Sequence, residues 1–319
     1  MTRPLIVLTG PTAVGKTRLS IQLAKQTRAD IISADSMQVY RGMDIGTAKI
    51  KPEETEGVRH YLINEIDPSE EFHVVRFQEL ALRYMEEIYA AGRIPLIAGG
   101  TGFYIQSVLY RINFTENDAD RTYRSWLTEL AAGHGAAFLH DMLRKIDPAS
   151  AEAIHENNIK RVIRALEYYK QTGEPISRHN EEQRRNASPY RFAYFVLNEN
   201  REQLYERINR RVDQMLSDGL VEEVASLKGR GLTPDMVSMQ GLGYKQILAY
   251  LDGRMTLAGA VDAIKKETRH FAKRQLTWFK REQDVIWINK NDYDYDEDRM
   301  LEAMLSILRE KGIIPQKKA

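Results

Sequence analysis

An α/β fold, with a parallel sheet wound by helices and an all-helical insertion, is predicted by three features of the 319-residue chain. Short apolar runs alternate with helical patterns through the first third. A glycine-rich loop follows the first run and opens a helix. From about Thr115 to Pro189 the pattern is helical with no convincing strand, and both patterns resume afterwards. Alternation of this kind marks a parallel sheet whose strands are buried on both faces.

Taken in order, Leu5 to Leu8 is a short buried strand that ends at Gly10. A helix follows from Lys16, with Leu19 and Leu23 on one face. Ile31-Ile32 is a second strand ending near Asp35, and Tyr61 to Ile63 a third. In the run Val74 to Ala91, Phe77, Leu80, Ala81, Tyr84 and Ile88 recur at three- and four-residue steps, the stripe of an amphipathic helix. Ile94 to Ala98 is the next strand, broken by Gly99-Gly-Thr-Gly102. The helical insertion opens with the polar linker Thr115 to Asp120 and closes with Glu181 to Pro189. Phe192 to Leu197 then returns as a strand. Helices are expected over Arg201 to Ser217, Val221 to Gly229, Leu257 to Arg281 and Asp298 to Lys311, with a last strand at Val285 to Ile288 and a disordered tail at Pro315 to Ala319. The domains this implies are a core of residues 1–114 and 191–319 and an insertion of residues 115–190.

Composition narrows the chemistry. The chain contains no cysteine, which excludes disulfides, thiol catalysis, Fe–S clusters and cysteine-ligated zinc, and fits a reducing, cytoplasmic setting. No apolar run is long enough for a membrane helix, so no membrane role is expected. With 46 basic and 45 acidic residues, only the distribution of charge is informative. Between Ala260 and Arg281 stand seven cations (Lys265, Lys266, Arg269, Lys273, Arg274, Lys280, Arg281) against Asp262 and Glu267. Such a cluster is either a polyanion-binding patch or a solvated helix face.

Gly10-Pro11-Thr12-Ala13-Val14-Gly15-Lys16-Thr17 is a complete G-x-x-x-x-G-K-T between a buried strand and a helix start. Its glycines let the backbone wrap a phosphate, its N–H groups and the helix N-terminus point at the anion, Lys16 adds a point charge, and the Thr17 hydroxyl can bind Mg²⁺. The fold is therefore expected to be a P-loop NTPase-like parallel sheet flanked by helices. The companions of a nucleotide hydrolase are hard to find: for the Walker-B acid only Asp35 and Asp67 are candidates, and the strand Ile94 to Ala98 ends in glycines instead. Asp35 lies just past a strand end, at the sheet edge where ligands bind. It could be a general base, a Mg²⁺ ligand, or simply a turn opener.

Three segments together resemble the tRNA dimethylallyltransferase (isopentenyltransferase) family: the P-loop, Asp35-Ser-Met-Gln-Val-Tyr-Arg-Gly-Met-Asp-Ile-Gly-Thr-Ala-Lys49, and Gly99-Gly-Thr-Gly-Phe-Tyr104. Lys160-Arg-Val-Ile-Arg-Ala-Leu-Glu167, Gly241-Leu-Gly-Tyr-Lys245 and Thr268 to Phe279 extend the likeness over roughly residues 5 to 280, in the family's order. Where the family often has Pro-His-His-Leu, this chain has Arg59-His60-Tyr61-Leu62, with His60 expected to be structural. Lacking cysteine, it resembles the shorter bacterial form without a zinc finger.

The resemblance implies transfer of a dimethylallyl group from dimethylallyl diphosphate to the exocyclic N6 of adenosine 37, beside the tRNA anticodon, with Mg²⁺ as cofactor and tRNA as partner. It implies catalytic roles for Asp35 (base), Thr101 (tunnel wall) and Arg211 (pyrophosphate contact), with Arg207 and Arg210 as further cations or mere surface. Residues 10–17 would bind the prenyl diphosphate. Asp35, Ser36, Met37, Gln38, Thr101, Lys160, Arg161, Val162, Ile163, Arg164, Lys273 and Arg274 would meet tRNA, with Arg269 in the same patch, while Trp278 and Phe279 are expected in the core. A monomer is expected. The alternatives are a kinase on the same P-loop and a nucleotide-gated RNA-binding module without chemistry.

Overall fold

The computed structural model describes residues 2–114, 122–184 and 186–316. The chain forms two compact units, residues 1–109 with 189–319, and residues 110–188. The sequence reading sets the boundaries after Phe114 and Tyr190. Tyr190 instead opens a core strand, in register with Arg3. The linker expected over Thr115 to Asp120 lies outside the described residues, as do Arg185 and the last three residues of the tail.

The larger unit begins with β1 (Arg3–Thr9), α1 (Lys16–Thr27), β2 (Ala29–Ala34), β3 (His60–Tyr61), α2 (Val74–Ala90), β4 (Ile94–Gly99) and α3 (Gly102–Leu109). The smaller unit holds α4 (Thr122–His134), α5 (Ala136–Ile146), α6 (Pro148–Ala153), α7 (Ile159–Thr172) and α8 (Ile176–Arg184). The larger unit resumes with β5 (Tyr190–Asn198), α9 (Arg201–Ser217), α10 (Leu220–Gly229), α11 (Tyr244–Leu251), α12 (Leu257–Phe279), β6 (Val285–Asn289) and α13 (Glu297–Glu310). Of these, α11 has no counterpart in the sequence reading, and β3 is two residues long and begins at His60. No helix among the described residues is long and apolar enough to cross a membrane.

All six strands run parallel in the order β3-β2-β4-β1-β5-β6. Leu5, Ile6, Val7 and Leu8 are fully buried, as a central strand covered on both faces requires. The chain leaves β1 through α1 and returns at β2, with β4 between them, so Thr9 and Ala34 both register with Gly99. A crevice therefore opens at the carboxyl ends of β1, β2 and β4, a topological switch point. The P-loop, Asp35 and the Gly99–Gly102 turn all start from that edge. Beneath it, the core packs Leu19, Leu23, Ile208, Met304 and Leu308 from α1, α9 and α13 against sheet residues Ile6, Leu8 and Phe195.

The smaller unit has its own core, in which Leu127, Leu139, Leu143 and Leu166 pack together. Val162 and Ile163 belong to it, at 0% and 5% exposure. This corrects the expectation that they meet tRNA: on α7 they face inward, while Lys160 and Arg161 are exposed. Their apolar type already fits the helix's buried stripe.

Candidate active site

The P-loop leaves β1 at Gly10, whose φ of +146° and close approach to β5 admit no side chain: a Cβ would stand 2.4 Å from the Leu197 carbonyl oxygen. Gly15, at φ +97°, caps α1. Between them the loop turns through Ala13, also at positive φ. Lys16 Nζ donates to the carbonyls of Gly10 and Pro11 at 3.0 and 2.8 Å, leaving one of its three N–H bonds for a ligand. Burial, then the neighbouring Arg211, lower the Lys16 ammonium to about 7, against the opposing pull of Asp35. Burial also lowers Arg211, again opposed by Asp35. One carboxylate and two cations thus share one electrostatic environment.

A cavity of about 560 Å³ contains this group. Thr12, Lys16 and Thr17 line it from the P-loop side, Asp35 and Gln38 from beyond β2, and Arg207, Arg210 and Arg211 from α9. Ile31, Ile50, Ile63 and Phe271 supply apolar wall. Ile31, Ser33 and Asp35 are alternate residues and share one face of β2 and its exit, so the lining runs from an apolar floor to a charged rim. Asp35 Oδ1 accepts the Met37 N–H at 2.9 Å, a turn contact that holds the carboxylate in place. Gln38 accepts from Ser33 Oγ at 3.1 Å and donates to the Thr47 carbonyl at 3.4 Å.

The loop behind Gln38 is anchored from α10. Glu223 accepts the backbone N–H groups of Asp44, Ile45 and Gly46 at 2.8, 2.7 and 3.1 Å and the Tyr244 hydroxyl at 2.6 Å. Lys49, buried, donates to the Tyr40 carbonyl, Asp44 and Asn64, each at 2.6 Å.

Several expected residues lie elsewhere. Asp67 is not in the cavity. It is half-exposed and faces Arg230 at 3.2 Å, so it supplies no Walker-B acid. Ser36 and Met37 belong to the Asp35 turn without lining the cavity. Thr101 lies just past Gly99 and Gly100, which do line it, and its carbonyl accepts the first N–H bonds of α3. His60, expected to be structural, lines the cavity; Nδ1 stands 2.9 Å from the Val58 carbonyl and burial lowers its pKa. In the basic patch, Lys265 pairs with Asp213 and Arg269 donates to Asn209, whereas Lys273 and Arg274 are exposed. Phe279 is fully buried.

Gln275 and Lys290, like Glu223, escape sequence reasoning. Gln275 of α12 reaches the P-loop itself. Lys290, 4% exposed, donates to the Val14 carbonyl at 3.2 Å and faces Glu199, which in turn faces Arg207 at 3.2 Å. A glutamine on a basic helix and a lysine in a polar run carry no signal of burial.

The residues fit magnesium as a cofactor. Mg²⁺ keeps several waters and takes one or two protein oxygens together with substrate phosphates, and the exposed Thr17 hydroxyl at the head of α1 is such an oxygen. No cage of three or more His, Cys, Asp or Glu stands among the described residues, and that mode of binding needs none.

Fold and site together define a P-loop α/β protein whose glycine-rich loop stands beside a carboxylate in one cavity. The sequence profile described as IPP transferase matches residues 38–282, and that described as isopentenyl transferase matches residues 4–70. The chain belongs to the tRNA dimethylallyltransferase family of prenyl-transferring enzymes. It is 64% identical to a tRNA dimethylallyltransferase of Lachnoclostridium phytofermentans, over 98% of this chain and 99% of that one. The crystal structure of a tRNA isopentenylpyrophosphate transferase from Bacillus halodurans is similar, with 46% identity, TM-score 0.73 and 97% and 98% of the two chains covered. A eukaryotic dimethylallyltransferase acting on tRNA is similar at 29% identity and TM-score 0.83, covering 100% of this chain and 82% of that one.

Proposed function

We propose that the protein transfers the dimethylallyl group of dimethylallyl diphosphate to N6 of adenosine 37, next to the tRNA anticodon, releasing pyrophosphate. The observation that carries this reading is the cavity, in which a diphosphate-binding loop, a lone carboxylate and an apolar wall meet within about 560 Å³. Of the two acids that could hold a metal for phosphoryl transfer, Asp67 is elsewhere and Asp35 lines the cavity, so the kinase alternative would have to use the same carboxylate and is separated by the test below.

In the reaction the C1–O bond of the prenyl diphosphate breaks, a bond forms between N6 and C1, and N6 loses a proton. The aryl amine is a weak nucleophile because its lone pair is delocalised into the ring. Asp35 accepts the N6 proton as positive charge develops on nitrogen, which is typically worth about 10²–10⁴-fold. Lys16, Arg211 and the P-loop N–H groups stabilise the charge gathering on the leaving pyrophosphate. Mg²⁺, held by Thr17 and the phosphates, would supply Lewis-acid neutralisation of that charge. Gln38 offers an amide to an adenine edge, and the base must leave its stack to reach the cavity. Lys160, Arg161 and Arg164 would contact tRNA phosphates on the smaller unit, and Lys273 and Arg274 would contact tRNA phosphates on the larger. The protein would act as a monomer, in the cytoplasm.

The test is incubation with labelled dimethylallyl diphosphate, Mg²⁺ and unmodified tRNA. Label moving to tRNA in a Mg²⁺-dependent way, with ATP neither required nor consumed, is expected. Consumption of ATP with no label transferred would make the protein a kinase, and tRNA binding without turnover would make it a binding module.

A further inference from the structure

Gln275 lies on the inner face of α12, only 7% exposed. Its Oε1 accepts the Thr12 N–H of the P-loop at 2.9 Å, and its Nε2 donates to the Gly100 carbonyl at the end of β4, also at 2.9 Å. One turn further along α12, Trp278 lies against Gly102. Both glycines lie directly under α12 side chains: a Cβ on Gly100 would come within 2.2 Å of Gln275 Nε2 and displace that amide, and one on Gly102 within 2.2 Å of the Trp278 ring nitrogen Nε1. Thr101 is therefore set between two points at which α12 presses on the backbone. Its own N–H donates to the Ala34 carbonyl at 3.1 Å, the residue before Asp35.

We propose that Gln275 is a positioning residue for prenyl transfer, whose amide fixes the separation between the P-loop and the Gly99–Thr101 turn. This rests on the prenyl-transfer reading above. On that reading the P-loop holds the leaving diphosphate, and the turn, with Asp35 beside it, borders the place of the incoming amine. Displacement at C1 needs amine, carbon and leaving oxygen in line, and a misplacement of about 1 Å costs on the order of 10²-fold. Only a side chain with one acceptor and one donor on the same group makes both contacts, which is the hydrogen-bonding pattern of a primary amide.

The test compares Gln275→Met, which keeps length and loses both bonds, with Gln275→Glu, alongside the unaltered protein. The glutamate keeps the acceptor for Thr12. Ionised, it sets an anion against the Gly100 carbonyl; protonated, its O–H restores the missing donor. In single-turnover transfer, Gln275→Met should be about 30–100-fold slow, with tRNA affinity within about threefold. The rate of Gln275→Glu relative to the unaltered protein should climb about tenfold or more as pH falls from about 8.5 to about 5.5, because the carboxylic acid replaces the amide, while the Gln275→Met ratio stays flat. A role confined to helix packing would not give that pH-dependent rescue. A Gln275→Met rate near that of the unaltered protein, or a Gln275→Glu ratio that ignores pH, overturns the proposal while leaving the prenyl-transfer reading intact. Absence of label transfer by the unaltered protein overturns both. Should Gln275→Met fail to fold, the pH dependence of the Gln275→Glu ratio decides alone.

Discussion

Lys16 carries a proton-linked consequence. Its ammonium sits at about 7 in the protein, and a bound diphosphate raises it by charge attraction. Binding therefore takes up a proton above pH 7, and affinity falls as pH rises from there, by up to about tenfold per unit. Calorimetry of diphosphate binding in buffers of different ionisation heat should find proton uptake near pH 8, and none in Lys16→Met. The sign for folding follows from the same value. Lys16 lies below its ordinary 10.5, so the cost of holding it charged is full below pH 7 and fades as pH rises towards 10.5. Asp35 is tested by Asp35→Asn, which should lose about 10²–10⁴-fold in single-turnover transfer. Prenyl diphosphate and tRNA should still bind; a near-normal rate removes Asp35 from the proton-accepting role.

At the scale of elements, the three successive N–H groups of Asp44, Ile45 and Gly46 converge on one carboxylate of α10. Glu223→Ala strands three backbone N–H groups and the Tyr244 hydroxyl at once, and should cost about 2–4 kcal/mol of stability in denaturant unfolding. Amide exchange at Asp44, Ile45 and Gly46 should quicken with it, and unchanged protection there would show that the anchor is dispensable. Helix α7 gives a paired test. Val162→Ala removes core volume and should destabilise by about 1–3 kcal/mol without touching the salt dependence of tRNA binding. Arg161→Ala, exposed, should do the reverse. The two kinds of residue are neighbours in sequence, and the buried face of α7 separates the apolar pair from the cations.

For the molecule as a whole, a chain of net charge +1 can hold a polyanion only where its cations cluster. Pairing with Asp213 and Asn209 withdraws Lys265 and Arg269 from the seven-cation patch. Each of Lys273→Ala and Arg274→Ala should lower tRNA affinity and flatten the fall of log affinity with log salt by about 0.7–0.9, with prenyl diphosphate affinity unaltered. A salt slope unmoved by either variant places the RNA elsewhere.

The sheet, the P-loop and the division into α/β core and helical insertion were legible in the residues, because strand burial and helix amphipathicity are local periodicities written along the chain. The family was legible for a related reason: glycines and charged residues at fixed spacing satisfy backbone geometry and phosphate chemistry that few other sequences meet. The seating of Gln275 over Thr12 and Gly100, of Lys290 under Val14, and of Glu223 behind the Asp44 loop was decided only by tertiary structure. These contacts join residues far apart in sequence, through polar side chains of types that usually face water. Their burial depends on which acceptors and donors the fold brings opposite them, and no local pattern encodes that partner.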